Sequence, residues 1–126
     1  MAARTLADIE AACRASWSVE TCDPVDVPQW TPGNPSRGQC GATALVLHEL
    51  LGGDLLEAEV TYPDGSHQGF HYWNRLAGGL EIDLTAEQFS PDELIQSPVT
   101  IEVVETPPSR AGEQYLLLRR RVRARL

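Results

Sequence analysis

Cys40, His71 and Asp83 are the residues of this chain whose types, order and settings could do chemistry together. A cysteine is a useful nucleophile as a thiolate, and a helix N-terminus, a nearby imidazolium and partial access to solvent all favour that form. Cys40 follows Gly38 and Gln39 and precedes an apolar run that contains Ala44, Leu47, Leu50 and Leu51 at helical spacing, so it falls in the first turn of an expected helix. Free N–H groups of that turn would point at its sulfur and at any oxyanion formed beside it, with Gln39 as a helper. Gly41 leaves room for a substrate to approach. The bland account of Cys40 is a buried helix cysteine, and position alone does not separate the two.

A base must come from His48, His67 or His71. His48 lies eight residues along the same helix, and a rise of about 1.5 Å per residue puts it roughly 12 Å away, too far for proton transfer. His67 stands in a Ser-His-Gln-Gly stretch where surface histidines are common. His71 lies inside an aromatic-rich strand, on one face with Trp73, while Phe70, Tyr72 and Asn74 share the other. It is the better base. Asp83 enters through hairpin geometry across Ala77-Gly78-Gly79. A register in which paired numbers sum to 154 sets it opposite His71; a sum of 156 sets it opposite Trp73 and diagonal to His71. Either way carboxylate and imidazole share a face, and an aspartate in the apolar context Ile82-Asp83-Leu84 is costly unless paired. The carboxylate would fix the ring's tautomer, as in triads generally.

The elements that must position these groups follow from pattern. Leu6, Ile9, Cys13 and Trp17 keep helical spacing behind Thr5 as a cap, which predicts an amphipathic helix over about 5–16. Residues 23–36 hold four prolines, with Trp30 as the one large apolar group, and read as an extended surface segment rather than a helix. The cysteine helix follows, stopped by Gly52-Gly53 and apolar around much of its girth, so central and buried. Strands are expected over 55–62, 70–76 and 80–84, with turns at 63–66 and 77–79. Thr85 and Gln88 suggest a short capped turn, Ser90-Pro91-Asp92-Glu93 another helix start, and 99–104 a fourth strand. Tyr115, Leu118 and Val122 share one face of a final helix. The expected class is α+β: one domain over 1–126, with a central helix on an antiparallel sheet of about four strands and helices at both ends.

Gly38-Gln39-Cys40, His71-Tyr72-Trp73 and Asp83-Leu84-Thr85 resemble the Gly-Gln-Cys, His-x-Trp and Asp-x-Thr signatures of transglutaminase-like proteins. The longer set, which adds Gly52-Gly53, Asn74-Arg75-Leu76, Ile82 and Gln88-Phe89, is similar to the bacterial YunG-like family over about residues 17–122. The resemblance implies a papain-like fold with the chain order Cys, His, Asp. One departure is Gly41, where animal transglutaminases carry tryptophan after the cysteine; Trp30 or Trp17 would have to wall the site instead, although both suit the core better.

Composition bounds the alternatives. A formal charge of −8 argues against a phosphate backbone as main partner. There is no lysine, and Arg119, Arg120, Arg121, Arg123 and Arg125 crowd the last eight residues; the rest of the chain sets five positive against 18 negative charges, −13. Those arginines read as the wet side of a packed helix rather than a nucleic-acid or lipid patch. No apolar run reaches the length of a membrane span, and the N-terminus lacks a basic start before a greasy stretch, so no membrane partner and a cytoplasmic setting are expected. Three cysteines without a C-x-x-C pair suggest neither disulfides nor a zinc finger; Cys13 suits a helix stripe and Cys22 a turn without chemistry.

The expected activity is acyl transfer through a thioester, without a cofactor. Cys40 would attack the carbonyl of a small-molecule or peptide amide, ester or thioester, carrier-bound thioesters included. Water or an amine would then accept the acyl group. Two other readings stand beside it. One is a binding module without turnover, with Trp17, Trp30, Tyr72 and Trp73 around a small molecule or peptide. The other is a Cys-His-Asp zinc site, although spacings of 31 and 12 residues match no compact zinc signature.

Overall fold

The computed structural model describes residues 5–102 and 112–126. Helix α1 (Leu6–Ser16) begins where Thr5 was expected to cap it: the Thr5 hydroxyl accepts from the Asp8 N–H at 3.1 Å, and Asp8 Oδ2 accepts from the Thr5 N–H at 2.9 Å. Its apolar stripe of Ile9, Ala12 and Cys13 is buried, followed by Trp17. Helix α2 (Cys40–Leu51) starts on the cysteine and stops at Gly52, whose φ of 71° is the left-handed value that favours glycine. Ala42 through Leu47 are all buried, as expected of a central helix. The last helix, α3 (Gly112–Arg125), buries Leu118 and Val122 against α1 and α2. Several of its arginines find acids: Arg121 reaches Glu20 at 2.7 Å, and Arg119 and Arg123 face Glu49.

Against this helical layer lies an antiparallel sheet with five strands among the described residues, where about four were expected. Strands β1 (Asp54–Thr61) and β2 (His67–Arg75) form the long hairpin, with Ala58 opposite His71 and Leu56 opposite Trp73. On the far side of β2 stands β3 (Glu81–Ile82), paired Asn74 to Ile82 and Arg75 to Glu81. Those pairs sum to 156, so the diagonal register is the one adopted. Strands β4 (Leu94–Ile95) and β5 (Val99–Ile101) both pair with β1. The expected strand over 99–104 is thus described as far as Ile101, and residues 103 and 104 lie outside the described residues. Helix α2 is pinned to the sheet by the buried Asn74, whose amide donates to the Ala44 carbonyl at 2.9 Å.

Three local expectations are corrected. The proline-rich segment contains six residues of 3₁₀ helix, Pro24–Gln29, because Asp23 accepts from the Val25 N–H and Pro24 occupies the first helical position, where its missing N–H costs nothing. The third strand is two residues long, not five, because Asp83 turns its side chain to a histidine and takes the Thr85 N–H. Ser90 to Glu93 forms a turn leading to β4 and no helix. There the Glu93 carboxylate accepts from the Ser90 N–H but is also clamped by the guanidinium of Arg37, at 2.9 and 3.0 Å. No helix among the described residues is long and apolar enough to cross a membrane.

Candidate functional site

Gly38 sets the entry to α2. It has a φ of 72°, and a Cβ there would run into Cys22 Sγ and the Asp26 side chain, so only glycine fits the turn that presents Cys40. Gln39 is the residue before the helix, and its side chain does not cap it. It is fully buried and points the other way: Oε1 accepts from Thr21 Oγ1 at 2.7 Å, and Nε2 donates to the Ser18 carbonyl at 2.9 Å. The first intrahelical bond runs from the Thr43 N–H to the Gln39 carbonyl. The N–H groups of Cys40, Gly41 and Ala42 therefore have no partner within the helix, and no capping side chain takes them. The positive end of α2 is left open beside the cysteine.

His71 has no exposed surface. Its Nε2 lies 2.7 Å from Asp83 Oδ2, and the other Asp83 oxygen accepts from the Thr85 N–H at 3.3 Å. This is the sense of the Asp-x-Thr spacing: the carboxylate is held by the backbone two residues on while it holds the ring. Trp73 stacks on the imidazole at 5.2 Å between centroids, and Phe89 meets it perpendicularly at 4.8 Å. The second ring nitrogen, Nδ1, is buried without an aligned hydrogen-bond partner. Cys40 stands close enough to the ring to influence its charge. Burial works against a charged ring, but the Asp83 bond and the neighbouring Cys40 outweigh it, and the His71 pKa is raised to about 9. The direction of the shift favours the cationic ring.

Cys40 and Gly41 line a cavity of about 350 Å³. Its apolar walls include Leu45, Leu55, Phe70, Tyr72 and Phe89, and its carboxylates are Asp23, Asp26 and Glu57. No described lining residue is cationic. The other cysteines are a different kind of thiol: Cys13 and Cys22 are both buried, and burial first of all pushes each up to about 12. The remaining histidines stay outside the site, His48 half-buried on α2 and His67 exposed beside Glu59 at 2.7 Å.

Cys40, His71 and Asp83 thus come together, with Gly41 at the cavity and Trp73 against the ring. Gln39 is near the nucleophile through its backbone, while its amide is spent on Thr21 and Ser18. Trp30 lies away from the cavity and donates to the Pro35 carbonyl at 3.0 Å within its own segment. Trp17 is a core residue bonded to Thr43 Oγ1 at 2.9 Å. Of the four aromatics considered as a binding pocket, only Tyr72 lines the cavity. Asp83 holds Nε2 of the ring while Nδ1 has no hydrogen-bond partner, and among the described residues no three His, Cys, Asp or Glu groups converge as a metal site. The sequence suggested for Gln88 only a part in a short turn capped by Thr85, whose side chain makes no capping bond, and no role for Phe89; their place in the family pattern was the available signal for the site.

The family model for the YunG protein matches residues 5–126. The chain is 34% identical over 103 residues to the uncharacterized protein YunG of Bacillus subtilis (strain 168), covering 82% of this chain and 71% of that one. No solved structure matches it. Matched over nearly its whole length by that model and by a relative of this identity, the chain belongs to the YunG family.

Proposed function

We propose that this protein is a cysteine-dependent acyl-transfer enzyme of papain- and transglutaminase-like type. In this reading Cys40 is the nucleophile, His71 the proton carrier and Asp83 the group that holds the ring. The observation that carries it is the imidazole held on Asp83 at 2.7 Å, its second nitrogen buried and unpartnered, close to a thiol at an uncapped helix start that opens on a cavity. A cationic imidazole is the charge partner a thiolate nucleophile requires.

Cys40 Sγ bonds to the carbonyl carbon, and the C=O electron pair moves to oxygen, where the open N–H groups of Cys40 and Gly41 are available to it. Collapse breaks the bond to the leaving nitrogen, oxygen or sulfur, which takes the proton from His71 Nδ1. The neutral ring then removes a proton from water or an amine as that group attacks the thioester. The C–S bond breaks, and acid or amide leaves. The unaligned Nδ1 of the resting site suits such a cycle, since catalytic hydrogen bonds often tighten only with substrate bound.

Iodoacetamide labelling at pH 6–7, read by mass spectrometry, tests the reading on the wild type, Cys40→Ala and His71→Ala. Cys40 is expected to carry nearly all the label, and His71→Ala to slow it about tenfold or more. Cys40 modified no faster than Cys13 or Cys22 would overturn the catalytic assignment and leave a binding cavity. A panel of amide, ester and thioester donors, with and without an amine, then separates hydrolase from transferase.

A further inference from the structure

The nucleophile and its base belong to different parts of the fold. Cys40 starts α2, whereas His71 and Asp83 sit on the β2–β3 hairpin, whose ladder ends two residues after it begins. A site that depends on a few tenths of an ångström between sulfur and imidazole needs something to hold those parts in register. The Gln88 side chain spans them. Its Oε1 accepts from the Gly38 N–H at 3.1 Å, two residues before Cys40, and its Nε2 donates to the Thr85 carbonyl at 3.1 Å. Thr85 in turn gives its N–H to Asp83, which holds His71. The Gln88 carbonyl also accepts from the Asn34 amide at 3.0 Å, so the residue is fixed from both sides and is nearly fully buried. Next to it, Phe89 stands at 89° to the imidazole plane while Trp73 stacks on that ring.

We propose that Gln88 and Phe89 are positioning residues of the Cys40 site: Gln88 ties the turn before the nucleophile to the chain after Asp83, and Phe89 fixes the plane of the His71 ring so that Nδ1 keeps facing the thiol. The inference rests on the acyl-transfer reading for its purpose, but its geometry is separate. Gly38 sits in a left-handed turn whose carbonyl accepts from the Asp23 N–H at 2.8 Å, and Gln88 Oε1 is the acceptor that takes its N–H. With Gln88 cut, the turn is free to shift against the hairpin, and the sulfur shifts with it. Without the Phe89 ring the imidazole can rock about its Asp83 bond.

The test uses Gln88→Met, which keeps side-chain length and removes both hydrogen bonds, Gln88→Glu, which keeps the oxygen facing Gly38, and Phe89→Leu. Each variant that retains the native circular dichroism spectrum is alkylated with iodoacetamide from pH 5 to 10. For Gln88→Met the Cys40 rate is expected to fall about tenfold at pH 6 and to stay within about twofold at pH 10, because a displaced imidazolium no longer supports the thiolate at low pH while hydroxide supplies it at high pH. Phe89→Leu is expected to lose about threefold at pH 6, and Gln88→Glu to recover at least half of the Gln88→Met loss. A purely structural role lowers the melting temperature without moving the pH–rate profile. Folded variants whose profiles superimpose on the wild type overturn the inference. Should Gln88→Met not fold, the partly exposed Phe89 decides the matter through Phe89→Leu. A wild-type Cys40 that is unreactive at pH 6 removes the acyl-transfer reading itself, a result distinct from unaltered variants of a reactive wild type.

Discussion

Replacing Asp83 with asparagine keeps the shape of the side chain and removes its charge, and the consequence for His71 can be worked out. From an ordinary 6.5 to about 9 the ring's affinity for its proton rises by roughly 2.5 pH units, which is about 3 kcal/mol in favour of the cation. Burial, the largest influence, opposes that, so the Asp83 bond and Cys40 together supply more than the net figure, with Asp83 first. In Asp83→Asn the burial cost remains and the main support is gone. The ring is expected to titrate about 2.5 units or more lower, near or below 6.5. The sign for stability follows. A proton held more tightly in the folded state stabilises it fully below 6.5, and that stabilisation is lost as pH rises through about 9. Wild type should therefore lose about 3 kcal/mol from this group between pH 6 and pH 10, and Asp83→Asn far less. Nuclear magnetic resonance of the three histidine rings across pH 5–10 reads the titration directly, and urea unfolding at each pH reads the stability. A wild-type His71 titrating near 6.5, or an Asp83→Asn ring still cationic at pH 8, refutes the reasoning.

Three further outcomes are expected. Gly38→Ala should destabilise the fold by about 2 kcal/mol or more and abolish selective Cys40 labelling, since the new Cβ meets Cys22 Sγ and the backbone is left-handed; denaturant unfolding and labelling check it. Arg37→Met should cost about 3 kcal/mol by chemical denaturation, because it takes the cation from the Glu93 carboxylate, whose side chain is only 7% exposed and which keeps only the neutral donors of Ser90 and Gln68. A cationic methanethiosulfonate should modify Cys40 faster than its anionic counterpart, given Asp23, Asp26 and Glu57 in the cavity wall, and Glu57→Gln should narrow the ratio by about threefold at low salt.

Much of this was legible in the residues because local rules and the tertiary structure agree. Thr5 caps α1, Gly52 ends α2, and Ala77-Gly78-Gly79 closes a hairpin in one of the two registers that bring Asp83 to His71. What was not legible depends on partners remote in sequence. Glu93 looked like part of a helix start until Arg37, 56 residues away, is seen to hold it. Gln39 looked like an oxyanion helper by its place next to Cys40, yet Thr21 and Ser18 draw its amide inward. The 3₁₀ helix at Pro24–Gln29 was hidden by its prolines, although Asp23-Pro24 is itself a helix-start pair.

Where the chain departs from local good sense is the more telling matter. Helix α2 lacks a capping side chain although Gln39 is at hand, and a serine, threonine or aspartate there would stabilise it by about 1 kcal/mol. Strand β3 stops so that Asp83 can leave the ladder. His71 keeps Nδ1 buried and unaligned, which costs about 1–3 kcal/mol in a site that has no structural need of it. Buried polar atoms without partners also occur at Arg37, His48 and Asn74, but none of those faces a thiol on a cavity wall. Three separate costs, drawn from three elements and meeting at one sulfur, are hard to account for as packing. In the proposed reading they serve a reactive centre: an open dipole, a carboxylate turned out of the ladder, and a ring nitrogen left unpartnered so that its proton can pass to a leaving group.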